Sequence, residues 1–159
     1  MDVTTQLLAH RVVEALGRCG LTLSTCESLT GGGVGAALTA VPGSSAVYRG
    51  GLITYASALK HTLAGVDSDL IRDKGVVNEA VAIQMAEGAR SRCGSDRAVS
   101  TTGVAGPASI EGQPVGVVWF AVAGGASGAV AQRVRFDGDR HAIRIAAVRH
   151  ALTMLLEVS

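Results

Sequence analysis

The alternation of apolar and polar positions divides the chain into short strands and longer helices. Residues 21–24 alternate leucine with a hydroxyl residue, as strands do, whereas Leu8, Val12, Ala15 and Leu16 recur at the spacing of a helix. The same analysis predicts helices over residues 4–19, about 34–40, 59–63 and 69–73, and from Asn78 and Asp139 onward. It predicts strands over residues 21–24, 47–56, 97–101, 115–123 and 129–136, with a bulge at Gly50-Gly51.

The order of these elements predicts the fold class. Helices separate the first three strands, so we expect crossover connections and parallel pairing there. The last two strands are joined by the glycine-rich segment 124–128, which predicts an antiparallel hairpin. The expected architecture is an α/β fold, a three-layer α/β/α sandwich with a mixed, mainly parallel sheet. No internal repeat or linker is visible, so a single domain over residues 1–159 is predicted.

Composition narrows the function classes. Hydrophobic residues make up 48% of the 159 positions, enough for a sizeable core, but no apolar run is long enough to span a membrane. The formal net charge is +1 without a basic cluster, which disfavours direct nucleic-acid binding. Cys19, Cys26 and Cys93 are unpaired by spacing, so we expect reduced thiols in a cytoplasmic protein. The histidines are scattered, which predicts no metal site.

The stretch around Ser28 is the main candidate for chemistry. A predicted strand runs there through Thr30-Gly31-Gly32-Gly33 into a predicted helix, so unpaired N–H groups collect at the helix N-terminus. Such a turn can hold an anion or stabilise an oxyanion beside a serine nucleophile. Alternatively, Ser28 or Thr30 only caps the helix and the glycines allow close packing. Walker, dinucleotide-binding and Gly-x-Ser-x-Gly patterns are all incomplete or absent here.

Two further polar segments follow the next strands of the predicted sheet. Tyr55 and Lys60 come after the second strand, and Thr102 ends the third. Because the carboxyl ends of parallel strands meet at one edge of a sheet, these side chains and Ser28 are expected to converge there. Taken singly, each of them is more often structural than catalytic. Their joint placement predicts a site.

Several segments carry a resemblance to a known family. They read Cys-Glu-Ser-Leu-Thr-Gly-Gly, Pro-Gly-Ser-Ser, Thr-Gly-Val-Ala-Gly-Pro, Pro-Val-Gly-Val-Val-Trp and Phe-Asp-Gly-Asp-Arg, and they span nearly the whole chain. In this order they resemble the C-terminal domain of the CinA competence/damage-inducible proteins, which also exists alone as a nicotinamide-nucleotide amidase. The resemblance implies a mixed-sheet α/β/α fold and hydrolysis of nicotinamide mononucleotide to nicotinate mononucleotide and ammonia.

The resemblance also implies roles for individual residues. Ser28 is the expected nucleophile and Lys60 its base, with Tyr55 and Thr102 bonded to Lys60 or relaying the proton. As a base, Lys60 needs a pKa of roughly 7–8, which burial and a nearby Arg140 charge are expected to provide. The expected substrate-binding residues are Thr30, Gly31, Gly32, Gly103 and Arg140. The turn amides would serve either the oxyanion or the phosphate, and in the first case Arg140 would bind the phosphate.

The sequence departs from the family at Cys26, at Leu29 and over residues 108–112, where the family usually has a glycine-rich run. Two rival functions therefore stay open: a nucleotide-binding or regulatory module without turnover, and a hydrolase of a different amide with the same site. The expected partner is a small-molecule nucleotide substrate, with no cofactor, metal, nucleic acid or membrane. A homo-oligomer is expected.

Overall fold

The computed structural model describes residues 1–158, so the end of the predicted domain, Ser159, lies outside the described residues. The described chain contains six α-helices, one short 3₁₀ helix and five strands. The helices are α1 Val3–Arg18, α2 Gly33–Thr39, α3 Ser57–Thr62, α4 Ser68–Lys74, α5 Glu79–Cys93 and α6 Arg140–Glu157, and the 3₁₀ helix is Ser44–Ala46. The strands are β1 Leu23–Glu27, β2 Tyr48–Ile53, β3 Arg97–Gly103, β4 Val117–Ala123 and β5 Val130–Arg135.

The five strands form one mixed sheet in the order β2-β1-β3-β4-β5. Strand β1 pairs in parallel with β2 and β3, and β4 pairs antiparallel with both β3 and β5. Four strands thus run one way and β4 runs the other, which confirms the predicted mixed, mainly parallel sheet and its terminal hairpin. The carboxyl ends of β1, β2 and β3 lie at one edge of the sheet.

Helices cover both faces of the sheet. On one face, α1, α2 and α6 pack together over a cluster that includes Leu23, Phe120 and Ile143, all fully buried. On the other face, α5 lies across the sheet and packs Met85 against a cluster that includes Cys26. This is the predicted three-layer sandwich. Because successive strand residues point to opposite faces, Glu27 faces the α2 side and Ser28 faces the α5 side.

Two predicted helix starts are confirmed by their caps. The Asn78 side chain accepts a hydrogen bond from the Val81 amide at 2.9 Å, and Asp139 accepts one from the Ala142 amide at 2.8 Å. Each side chain satisfies an amide that the first helical turn cannot satisfy itself.

The second strand is shorter than predicted and its bulge lies elsewhere. Residues 54–56 leave the sheet after Ile53, and the register shifts at Arg49, one residue before the predicted Gly50-Gly51 pair. Thr54 still donates its amide to the Glu27 carbonyl at 2.8 Å, so its own carbonyl is fixed at the sheet edge. The connection into α3 therefore starts from a rigid point.

Candidate active site

Ser28 lies directly after β1 and extends its ladder by one bond. Its amide donates to the Thr101 carbonyl of β3 at 3.0 Å, and only 8% of the residue is exposed. The side chain lies on the α5 side of the sheet, within reach of α3. The backbone of a neighbouring strand thus fixes where the hydroxyl points.

Lys60 reaches this hydroxyl from α3. Its Nζ donates to Ser28 Oγ at 3.0 Å and to the Thr54 carbonyl at 2.7 Å, and the residue is 1% exposed. Burial lowers the pKa of Lys60 to about 8, against the opposing effects of the Cys26 thiol and the Glu111 carboxylate. The Arg140 charge, which the sequence suggested as a second cause, is not one. A serine hydroxyl is therefore paired with an amine that deprotonates near neutral pH.

Residues 28–33 form the turn between β1 and α2, which we call the nucleophile turn. A carboxylate of the chain itself accepts hydrogen bonds at its end. Glu27 is 1% exposed, and its two oxygens accept from the amides of Gly32, Val34 and Gly35 at 2.9–3.1 Å. The start of α2 thus holds an anion, as its geometry predicted, but the anion is internal. The expected use of this turn for a substrate oxyanion or phosphate is therefore not supported at these amides.

Arg144 of α6 holds the same turn from the outside. Its Nε donates to the Leu29 carbonyl at 2.9 Å and its Nη2 to the Thr30 carbonyl at 3.2 Å. The Thr30 hydroxyl lies 2.8 Å from that of Thr101, and Thr30 is buried on the face of the sheet that α2 covers. Thr30, Gly31 and Gly32 are thus placed as parts of a fixed scaffold behind Ser28, away from the pocket described below.

Tyr55 and Arg140 meet at the rim of the site. The Arg140 guanidinium donates to Tyr55 Oη at 2.9 Å and to the Gly106 carbonyl at 2.7 Å. Tyr55 is 61% exposed, so the pair faces solvent. Arg140 is also the first residue of α6, where the helix dipole adds positive potential. The pair can bind an anionic group of a ligand.

Thr102 faces the site but does not bond Lys60 as expected. Its hydroxyl donates to the Val76 carbonyl at 2.7 Å, and the Val76 amide donates to the Glu111 carboxylate at 2.8 Å. This chain of bonds ties β3 to the connection between α4 and α5 and to the loop 108–112. The hydrogen-bond partner of Tyr55 is Arg140, so neither residue contacts Lys60 through a hydrogen bond in the described chain.

These residues surround one pocket of about 200 Å³ at the carboxyl edge of the sheet. Its walls are Ser28, Leu29, Tyr55, Ser57, Lys60, Val76, Val77, Thr102, Gly103, Ala105, Gly106, Ile110 and Arg140. The predicted convergence of Ser28, Tyr55, Lys60 and Thr102 is thus seen in the structure, and Gly103 and Arg140 line the same pocket.

Sequence reasoning missed several residues of this neighbourhood. Ser57 stands three positions before Lys60, a spacing that shares one helix face and would have indicated it. Glu27, next to Ser28, was a candidate anion for a helix N-terminus. Arg144 follows Arg140 by one helical turn. Val76 carries no such signal, because it contributes through its backbone.

Cys26 lies close to this site without the properties of a nucleophile. It is fully buried, its Sγ is 3.7 Å from Thr54 Oγ1, and burial raises the pKa of the thiol to about 11. A thiol at that pKa stays protonated at neutral pH. Cys26 therefore acts as a small core residue.

Residues 1–158 contain no cluster of three or more His, Cys, Asp or Glu side chains with the geometry to hold a metal ion. Within the same range, none of the helices has the length and apolar character that crossing a membrane requires.

The family model for the CinA C-terminal domain matches residues 5–159. The chain is 40% identical over 155 residues, 97% of its length, to a protein of Escherichia coli named nicotinamide-nucleotide amidohydrolase PncC, of which it covers 94%. It is 49% identical over 138 residues, 86% of its length, to a CinA-like protein of Parasynechococcus marenigrum, but covers only 32% of that protein. It spans about a third of the length of several such CinA-like relatives.

Solved structures agree with this relationship. A CinA superfamily protein from Escherichia coli superposes with a TM-score of 0.95 at 32% sequence identity, with 100% of this chain and 93% of that chain covered. The competence/damage inducible protein CihA from Agrobacterium tumefaciens gives a TM-score of 0.93 at 37% identity, with coverage of 99% and 97%. Together with the family model, these matches show that the chain belongs to the CinA C-terminal domain family.

Proposed function

We propose that the chain is an amidohydrolase that converts nicotinamide mononucleotide to nicotinate mononucleotide and ammonia through Ser28 and Lys60. The observation that carries this proposal is the 3.0 Å contact between Lys60 Nζ and Ser28 Oγ inside a pocket, with an amine whose pKa burial lowers to about 8. The name of the Escherichia coli relative, matched over 97% of this chain, supports the same substrate.

The two bonds of Lys60 suit a general base. A neutral amine has two N–H groups and one lone pair. If one N–H donates to the Thr54 carbonyl, the lone pair is free to accept the Ser28 hydroxyl proton. At pH 7 about one amine in ten is neutral at this pKa, compared with fewer than one in a thousand for a lysine in water.

The reaction then takes two acyl-transfer steps. Ser28 Oγ bonds to the carboxamide carbon while Lys60 takes the hydroxyl proton, and the tetrahedral intermediate collapses as Lys60 returns that proton to the leaving nitrogen. Ammonia departs and a serine ester remains. A water molecule next attacks the ester carbon, Lys60 takes its proton and passes it to Ser28 Oγ, and the carboxylate product leaves.

Other pocket residues are proposed to bind the rest of the substrate. Arg140 with Tyr55 would hold the phosphate at the rim, because a guanidinium and a phenol both donate to phosphate oxygens. Thr102 and Gly103 would form the wall beside the reacting carbonyl. Thr30, Gly31 and Gly32 would act only by keeping Ser28 in place.

The alternative function, a nucleotide-binding or regulatory module without turnover, is less well supported. Holding an amine at a pKa of about 8 rather than 10.5 disfavours its charged form by roughly 3 kcal/mol. A site that only binds a nucleotide would not need an amine whose charged form is destabilised in this way. A hydrolase of a different amide is favoured by one observation, the presence of Ile110 in the pocket wall within the loop that departs from the family.

An ammonia-release assay with nicotinamide mononucleotide, nicotinamide and glutamine tests the proposal. We expect release from the mononucleotide, and a loss of about 10³-fold or more in Ser28→Ala and in Lys60→Arg, since arginine cannot deprotonate. Lys74→Arg, at an exposed position, is the matched control. Near-normal turnover in either site variant would reject the Ser–Lys mechanism, and release from another amide alone would reject the substrate.

A homo-oligomer stays a prediction, which light scattering would check.

A further inference from the structure

The proposed reaction places a negative charge on the carbonyl oxygen of the substrate, and that oxygen needs N–H donors. Most amides of the nucleophile turn and of the start of α2 already have acceptors inside the chain. The bonds are Ser28 to Thr101, Gly31 to Ser28, Gly33 to Thr30, and Gly32, Val34 and Gly35 to Glu27. Within this stretch of the described chain, only the Leu29 and Thr30 amides have no such acceptor, so any further donor comes from elsewhere in the pocket.

Strand β3 supplies an amide with the required direction. Successive amides of a strand point to opposite edges. The Arg97 amide bonds the Thr22 carbonyl on the β1 side, and the Val104 amide bonds the Val117 carbonyl on the β4 side. By this alternation, odd-numbered amides of β3 face β1, so the Gly103 amide points toward the end of β1.

At that point β1 no longer offers an acceptor. The β1–β3 ladder ends with Glu27 opposite Thr101, and the Ser28 carbonyl that would come next accepts from Gly31 instead. Among the turn, loop and connecting backbone bonds of residues 1–158, none is donated by the Gly103 amide, and the alternation along β3 turns this amide away from β4. The amide is thus directed past the end of β1, next to Ser28, at a residue that lines the pocket.

The absence of a side chain at residue 103 has a packing reason. A Cβ there would lie 2.6 Å from the Val117 carbonyl oxygen and 2.7 Å from Val118 Cα, both backbone atoms that cannot move aside. Only glycine allows β3 and β4 to pair this closely at the edge of the site. The Gly103 residue is half-buried and lines the pocket.

We propose that the Gly103 N–H is a catalytic oxyanion donor. As the Ser28 Oγ–carbon bond forms, the carbonyl π pair moves to oxygen and the hydroxyl proton moves to Lys60. The Gly103 amide donates to the new oxyanion and releases it when the carbonyl re-forms and the carbon–nitrogen bond breaks. This inference rests on the proposed function and adds a backbone group to it.

Replacing the amide by an ester tests the inference directly. Glycolic acid incorporated at position 103 removes the N–H and weakens the Thr102 carbonyl as an acceptor. Because the Gly103 N–H makes none of the connecting bonds found among residues 1–158, the melting temperature should fall no more than in the matched control below. We expect kcat for nicotinamide mononucleotide to fall by about 10²–10³-fold with KM changed less than threefold. The matched control is glycolic acid at Gly125, in the β4–β5 turn, which should leave kcat unchanged. Wild-type kcat in the Gly103 ester would overturn the inference while leaving the proposed function intact.

A spectroscopic measurement separates the two proposals further. Pyridine-3-carbaldehyde forms a hemiacetal with a serine nucleophile, which mimics the tetrahedral intermediate. We expect the Gly103 amide proton to shift downfield more than any other amide proton in the wild type, and no such shift in Ser28→Ala. Failure of the wild type to form an adduct and to release ammonia would reject the proposed function and this inference together. An adduct that shifts the Leu29 or Thr30 amide in place of Gly103 would reject this inference alone.

Discussion

Glu27 and Lys60 are both ionisable, both buried to within 1% of full coverage, and both near Ser28, yet their surroundings differ. Glu27 accepts three backbone N–H bonds at the start of a helix, which compensate a negative charge. Among residues 1–158, Lys60 has only one hydroxyl and one carbonyl as acceptors, and it bonds no carboxylate there. The chain therefore surrounds the Glu27 carboxylate with hydrogen-bond donors, whereas burial makes the charge of Lys60 unfavourable. The difference separates a residue that holds the site from a residue that reacts.

The largest expected effect is on stability at Glu27. Glu27→Met keeps a similar volume but leaves three amides at the α2 start without acceptors, each worth about 1–3 kcal/mol when buried. We expect the free energy of unfolding, measured in urea, to fall by about 3–5 kcal/mol. Glu87→Met, at an exposed position of α5, is the control and should change it by less than about 0.5 kcal/mol. Equal effects of the two substitutions would mean that water satisfies the α2 amides and that the carboxylate is dispensable.

Replacing Lys60 by methionine should raise the free energy of unfolding, whereas the same replacement at Glu27 lowers it. Lys60→Met removes a penalty of roughly 3 kcal/mol on the charged amine and loses the bond to the Thr54 carbonyl, worth about 1 kcal/mol. We expect a net gain of about 2 kcal/mol in unfolding free energy at pH 7, with no turnover. Lys74→Met, at an exposed position, serves as the control.

The pH dependence of that gain follows from the direction of the pKa change. The folded pKa of about 8 lies below the unfolded value of 10.5, so below pH 8 the amine is charged in both states and the full penalty applies. As the pH rises from about 8 to 10.5, the folded protein binds fewer protons than the unfolded chain, and the wild type becomes more stable. The advantage of Lys60→Met should therefore shrink across this window. A gain that does not vary with pH would contradict a buried amine as its source.

Some features of the site around Glu27 and Lys60 could be predicted from the sequence, and others could not. The meeting of Ser28 and Lys60 was predictable, because both follow parallel strands whose carboxyl ends share an edge. The caps Asn78 and Asp139 were predictable as well, since each acts within three residues of its own position. The internal bonds of Glu27 had one signal, an acid beside a predicted helix N-terminus, but they also depend on how the nucleophile turn brings the α2 amides over that side chain. The Thr102–Val76 bond was not predictable, since it joins a strand to a connection with no periodic pattern.

Catalysis by the wild type should depend on pH through the same amine. Turnover at saturating nicotinamide mononucleotide is expected to rise about tenfold between pH 6 and pH 7, and to level off above pH 8 as Lys60 becomes neutral. The ammonia-release rate measured over pH 6–9.5 checks this. A rate that is independent of pH over this range would exclude Lys60 as the base, and a rate that falls with rising pH would indicate a protonated group in that role.

The smallest expected effect lies at Ile110, on the wall of the Lys60 pocket. Ile110 is 45% exposed, so replacing it by alanine removes only part of a buried isoleucine's contribution, about 1 kcal/mol of binding. We expect Ile110→Ala to raise KM for nicotinamide mononucleotide about fivefold with kcat unchanged, because the contact is the same in the ground state and the transition state. Ser109→Ala in the same loop does not line the pocket and should leave KM unchanged. A fall in kcat without a rise in KM would contradict this expectation. It would mean that the loop 108–112 acts mainly by positioning Thr102, through the bonds from Glu111 to Val76 and from Val76 to Thr102, and not by contacting the substrate.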